Sequence, residues 1–193
     1  MAGHARYTAL LDACVLYPLA MTDALLSLAT AGFFAAKWTT RIEDEWIRSL
    51  ERQRPDLTGK LGVRRDSMRE AVPDWEVPEP AWVALVQGIQ LPDPDDAHVL
   101  AAAIAGHADC IVTSKLKDFP VPVLRQFGIE AVDPDTFIIN QWDLNPVQAI
   151  DAFKRMRARR KKPHSSPEDF ADALELGGLP ATADRLRLAA ELI

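Results

Sequence analysis

Cysteine is scarce in this 193-residue chain: only Cys14 and Cys110 occur, each inside an apolar run. Two thiols cannot make a disulfide framework or a cysteine-rich zinc site, and reduced core thiols are expected. Long uncharged apolar runs are missing as well. No stretch of about 18 or more apolar residues is free of charge, which speaks against a membrane helix. The N-terminal residues lead into a candidate strand without the basic, apolar and cleavage regions of a secretion signal, so a cytoplasmic chain with no membrane contact is expected. Nor is there an excess of positive charge. With 22 Lys and Arg against 28 Asp and Glu, the net charge of −6 excludes a general, charge-driven nucleic-acid binder, because such binding depends on accumulated cations. Any nucleic-acid contact must be local.

A hydrophobic content of 48% is enough for one good core, so one main domain is expected, alone or with an appendage. The apolar run "YTALLDACVLYP", residues 7–18, suits a buried strand ending near Asp12, with Pro18 in the first turn of the next helix. That helix is predicted to run to near Lys37. In "KWTTRIEDEWIRSLERQRPDL", Thr40 and Glu43 have capping-box spacing, and Ile42, Trp46 and Leu50 recur on one helical face. Residues 59–90 combine helical stretches with the breakers Pro73, Pro78 and Pro80. After them come a helix over 95–106, a short strand "DCIVTS", a helix, a strand "IEAV" and a helix from Asp133 and Pro134. Strands alternating with helices predict a parallel sheet covered on both faces, and sites in such sheets gather at the carboxyl ends of the strands.

The tail is helical throughout, with an Asn-Pro start, a Ser-Pro-Glu start and a Gly-Gly stop; only 163–167 reads as a linker. The predicted division is a main domain over 1–144 and a helical extension over 145–193. Positive charge gathers in "KRMRARRKK", residues 154–162, seven cations in nine positions. This is either a solvated helix end, where cations suit the macrodipole, or a contact site for RNA or an acidic partner.

"LPDPDDAHVLAAAI", residues 91–104, opens with three aspartates in four positions. Asp93 precedes Pro94 and is placed to cap the helix, while Asp95 falls in the favourable first turn. Asp96 shares a face with Leu100, Ala103 and Ile104 and so points nearer the core, where an acid needs hydrogen bonds, a partner or a cation. Asp12, at a strand end, and Asp118, beyond the "CIVTS" strand, fall at the same sheet edge; each also suits a turn or cap. Among Glu43, Asp44 and Glu45 the helical wheel does not choose between Glu43 and Glu45. Carboxylates converging at one edge would repel unless neutralised, and oxygen-only ligation favours Mg²⁺ or Mn²⁺ over zinc. His98 and His107 flank this segment and read as surface or packing residues rather than ligands.

"LLDACVLYP", "KWTTRIEDEWIRSL", "LPDPDDAHVLAAAI", "IVTSKLKDFP" and "GIEAVDPDTF" stand in the order and spacing of PIN-domain ribonucleases. The chain resembles this family over about residues 7–155, in particular the toxins of VapBC-like toxin–antitoxin pairs, and the tail resembles an extension seen in one branch of them. The resemblance implies a three-layer α/β/α sandwich with a central parallel sheet plus a C-terminal helical extension. It also implies RNA cleavage by an acidic quartet holding Mg²⁺ or Mn²⁺, an antitoxin partner and a homodimer. By motif the quartet is Asp12, Glu45, Asp96 and Asp118, so the resemblance selects Glu45 over Glu43. One departure is Lys115, which stands two residues after Thr113 where many PIN domains carry an acid. Thr113, Lys115, Arg157, Arg159 and Arg160 are the candidate RNA contacts. Two rivals remain: a haloacid-dehalogenase-like phosphatase or phospho-acceptor domain, weakened by Cys14 where a second acid is usual, and a non-catalytic interaction module.

Overall fold

The computed structural model describes residues 7–160 and 165–193 of the chain. In chain order the elements are β1 (Thr8–Leu11), α1 (Ala13–Leu16), α2 (Leu19–Thr30), β2 (Ala35–Lys37), α3 (Thr40–Gln53), α4 (Gly62–Ala71), α5 (Glu79–Trp82), α6 (Ala97–Ala105), β3 (Cys110–Val112), α7 (Val121–Leu124), β4 (Glu130–Val132), α8 (Pro134–Leu144), α9 (Pro146–Arg159), α10 (Pro167–Leu176) and α11 (Pro180–Leu188). Short 3₁₀ turns link several of them. The expected α/β sandwich with a central parallel sheet and C-terminal helices is present. Two compact units make it up. One takes the described part of Met1–Tyr17 together with Phe34–Asp133, and the other takes Pro18–Phe33 with Pro134–Ile193. Among the described residues no helix is long and apolar enough to cross a membrane.

The first unit is built on a four-stranded sheet of order β2-β1-β3-β4, parallel throughout. Ala9, Leu10 and Leu11 of β1 and all of β3 are fully buried, and because successive side chains point to opposite faces, both faces are covered. Helix α6 packs on β1 and β3. Strand β2 differs from the sequence expectation of a helix reaching Lys37. The helix stops at Thr30, Gly32 takes a left-handed turn at φ 92°, and Ala35–Lys37 pairs with Thr8–Leu10. Ladder partners from β1 outweigh the weak local preference of "AAK". The proline-broken segment is pinned by Trp38, whose N–H donates to Trp75 O and whose carbonyl accepts from Val77 N.

Helix α3 starts one residue earlier than a Thr40–Glu43 capping box requires. Thr39 is the cap, its Oγ1 accepting from Ile42 N at 3.1 Å. Glu43 is 1% exposed and accepts from Trp38 Nε1 and Arg69 Nε, both at 3.0 Å. A carboxylate that deeply buried needs charged or N–H donors, and these draw it away from the helix terminus.

In the second unit, Phe137, Trp142, Phe153, Met156, Phe170, Leu174 and Leu186 form the core, with Trp142 stacked on Phe153 at 5.2 Å. Asn145 caps α9 through Gln148 N, Ser166 and Asp169 form a capping box on α10, and Gly177 with Gly178 (φ 89°) ends α10. The helix starts and the stop match those predicted. Of the expected 163–167 linker, Pro163 and His164 lie outside the described residues.

Candidate functional site

The carboxyl ends of β1 and β3 carry the site in the first unit. Asp12 N–H donates to Val112 O at 3.2 Å, extending the ladder by one residue and fixing where the Asp12 side chain emerges. Asp12 then caps α1: Oδ1 accepts from Ala13 N at 2.6 Å, and Oδ2 accepts from Thr113 Oγ1 at 2.8 Å and Cys14 Sγ at 3.0 Å. Thr113 is fully buried, and its Oγ1 accepts from Lys115 N at 3.0 Å. Asp12, Thr113 and the Lys115 backbone thus form one connected chain. Burial, reinforced by the charge of Asp12, pushes the Cys14 thiol up to about 12, so at neutral pH it stays a neutral donor.

The three aspartates before α6 separate as their helical positions predict. Asp93 caps the 3₁₀ turn Pro94–Asp96 by accepting from Asp95 N at 3.0 Å, Asp95 is exposed, and Asp96 is only 4% exposed. One carboxylate oxygen from each of Asp93, Asp96 and Asp118 lies within 4.8 Å of the other two. Asp118 ends the 3₁₀ turn Leu116–Asp118, its N–H donating to Lys115 O at 2.9 Å. The Lys115 ammonium reaches Asp96 at 3.0 Å (Oδ1) and 3.3 Å (Oδ2). Burial raises the Asp96 carboxyl above its usual range, Asp12 and Asp93 add to this, and Lys115 opposes it. For Lys115, burial works downward but is outweighed by Asp96 and then Asp12, so its ammonium is held above the ordinary lysine range.

Glu45 reaches the same edge from α3. Its side chain is 34% exposed and lines a cavity of about 320 Å³ with Ala13, Cys14, Tyr17 and Lys115. Burial acts to raise its carboxyl, but His98 and Arg41 beside it hold it below its usual range. His98, on α6, is 1% exposed with Nε2 2.8 Å from Glu45 Oε1. The approach is close but off the ring N–H direction, so it is an electrostatic contact rather than a directional hydrogen bond. Glu43 has no place in this group. The arrangement therefore brings Asp96 and Asp118 together with Asp93, ties Asp12 to them through Thr113 and Lys115, and sets Glu45 on the adjoining cavity wall. Negative oxygen donors without thiolate or clustered imidazole suit a hard divalent cation.

The tail cations are engaged inside the second unit. Arg157 donates to Ser165 O and Ile193 O, Arg159 to Asp23 Oδ1 and Ser27 Oγ, and Arg160 sits 5.0 Å over the Phe170 ring. Lys161 and Lys162 lie outside the described residues.

A family model described as "PIN domain" matches residues 8–117, more than half of the chain. The chain belongs to the PIN-domain family. A second model, "VapC50 C-terminal domain", matches residues 134–188. The chain is similar to "Putative ribonuclease VapC50" of Mycobacterium tuberculosis, 38% identical over 79 residues, which is 41% of this chain and 47% of that protein. The likeness thus spans about half the length of that relative. No solved structure matches.

The PIN match takes in Asp12, Glu45, Asp93, Asp96, Thr113 and Lys115, and Asp118 falls one residue past its end. Two residues that the fold brings to this edge are not singled out by the sequence. From sequence Asp93 is only a cap, yet a carboxylate has acceptor sites beyond the one bond that Asp95 N takes. His98 falls on the Asp95 face of the helical wheel, a weakly apolar stripe, and reads as a surface or packing residue; its contact with Glu45 joins α6 to α3 and needs the fold.

Proposed function

We propose that the chain is a Mg²⁺- or Mn²⁺-dependent endoribonuclease that hydrolyses RNA phosphodiester bonds, acting in the cytoplasm as the toxin of a toxin–antitoxin pair. The observation that carries this reading is the buried Asp96, raised above its usual range, facing Asp93 and Asp118 at the edge where Asp12 is held by Thr113. A charge so placed favours uptake of a cation, and the donor set fits Mg²⁺ or Mn²⁺. Asp93, Asp96 and Asp118 would hold the ion, with Asp12 and Glu45 completing the site. Such an ion makes a bound water more acidic and offsets charge growing on the phosphate.

The chain's own side chains supply the rest. Asp12 is fixed in one orientation by donors to both of its oxygens, so its charge is aimed before substrate arrives. Glu45, ionised and open to a cavity, can accept a hydrogen bond from the attacking water and orient it. A second cavity of about 620 Å³ shares Glu45 and is lined by Arg48, Ser49, Glu51 and Arg52, on the exposed side of α3. With Glu45 and Glu51 that lining is formally balanced, so Arg48 and Arg52 would meet RNA phosphates as single contacts rather than as a positive patch. The products would carry a 3′-hydroxyl and a 5′-phosphate. A cognate antitoxin would block the acidic edge with an Arg or Lys side chain, and a homodimer is the expected assembly.

The test is incubation of the purified full chain with Mn²⁺ and a mixed pool of single-stranded RNAs, followed by analysis of the product ends. Cleavage is expected, with Asp12→Asn and Asp96→Asn each slowing it by about 10²-fold or more. RNA left intact by the Mn²⁺-loaded chain, together with undiminished growth toxicity of Asp12→Asn, would sink the reading. A phosphate trapped on Asp12 would point instead to phosphoryl transfer.

A further inference from the structure

We propose that Lys115 is a resident cation of this site, standing where a second divalent ion would otherwise bind, so that the folded chain takes up one ion and not two. The inference rests on the metal-dependent reading above. Its basis is the position of one ammonium. Lys115 Nζ spans both oxygens of Asp96, at 3.0 and 3.3 Å, a two-oxygen contact of the kind a bound cation makes. The same ammonium lies in the field of Asp12 and lines the cavity that Glu45 and Cys14 share. One positive charge is therefore held on Asp96 at the wall of the cavity that Glu45 lines.

This placement is built into the backbone. Lys115 N–H donates to Thr113 Oγ1, and the Thr113 hydroxyl donates to Asp12 Oδ2, so the Lys115 side chain springs from a point fixed relative to Asp12. Asp96 can serve two cations at once, because a carboxylate offers about four acceptor sites. One oxygen meets Asp93 and Asp118, and the pair meets Lys115. An ion among Asp93, Asp96 and Asp118 is compatible with the lysine. Another between Asp96 and Asp12 is not, because two divalent ions and the ammonium would then crowd onto the one Asp96 carboxylate at contact distance.

The experiment is calorimetric titration of Mn²⁺ into the full chain, Lys115→Gln and Lys115→Arg, with folding checked by circular dichroism. The wild type and Lys115→Arg are expected to bind one Mn²⁺ each, and Lys115→Gln two. Equal stoichiometry and affinity in all three would overturn the proposal. Electron paramagnetic resonance of the wild type in excess Mn²⁺ keeps it falsifiable if Lys115→Gln fails to fold: isolated ions support it, and a spin-coupled pair of ions overturns it. RNA hydrolysis is assayed in parallel. One bound ion without cleavage defeats the ribonuclease reading alone, whereas a coupled pair with cleavage defeats only the role of Lys115.

Discussion

Carboxylates are handled in opposite ways by the two units. In the second, the groups around Asp135 and Arg187 are closed by protein donors. Asp135 accepts from Ala181 N, Thr182 N and Thr182 Oγ1 at 2.6, 2.9 and 2.6 Å, and Arg187 gathers Glu168, Asp172, Glu175 and Asp184 around one guanidinium. In the first unit, Asp93, Asp96 and Asp118 face one another, with the Lys115 ammonium bound at Asp96. Buried negative charge is tolerable when donors surround it or when a cation arrives. The second unit uses the first solution as structure, and in the proposed reading the sheet edge of the first unit uses the second. Charge left unmatched at a sheet edge is therefore a better marker of function than acidity itself.

The sharpest way to break this contrast lies within α3, where both solutions occur two residues apart. Glu43 is closed by Trp38 and Arg69, and Glu45 opens on a cavity. Glu45→Gln is expected to lower Mn²⁺-dependent RNA cleavage by about 10²-fold while moving stability by no more than about 0.5 kcal/mol. Glu43→Ala should do the reverse, destabilising the fold by about 3 kcal/mol in urea melts because it strands Arg69 and the Trp38 indole. Mn²⁺ affinity of the folded fraction should stay unchanged. Cleavage that survives Glu45→Gln but vanishes with Glu43→Ala, in protein still folded, would exchange the two roles.

A smaller effect is expected from Asp135, whose oxygens serve the first turn of α11. Asp135→Ala removes the acceptor for three donors and is expected to cost about 2 kcal/mol in urea unfolding. Asp135→Asn, which keeps one acceptor oxygen, should recover part of the loss. Neither change should alter the shift in melting temperature that Mn²⁺ produces. If Asp135→Ala abolished that shift, the second unit could not be regarded as purely structural in its use of charge.

What the sequence made legible follows from the range of the forces involved. Asp96 could be separated from Asp93 and Asp95 because helical periodicity is local, and the caps Asn145 and Ser166 could be named because capping spans three residues. Strand β2 was hidden because its three residues have little preference of their own and form a strand only by pairing with β1. The choice between Glu43 and Glu45 was equally hidden. It depends on Trp38 and Arg69 arriving from either side of α3, so only the family resemblance selected Glu45. Lys115 was visible as a departure from the family pattern, but its bond to Asp96 spans 19 residues and needed the fold.

The smallest predicted effect uses Cys14 as a reporter of the charge on Asp12. Burial and Asp12 push its thiol up to about 12, well above the ordinary value near about 8.5. Because the folded thiol ionises later than the unfolded one, its contribution to stability is intact below about pH 8.5 and is lost as pH rises toward 12. At pH 8, iodoacetamide should label Cys14 at least about 10²-fold more slowly than an ordinary free thiol. Asp12→Asn removes the second cause and leaves the first, so labelling should quicken only by about threefold. Mn²⁺ held near Asp12 acts in the same direction, by offsetting the negative charge beside the sulfur. Labelling indifferent to both Asp12→Asn and Mn²⁺ would show that the charge at this edge does not reach Cys14, and that burial alone sets its reactivity.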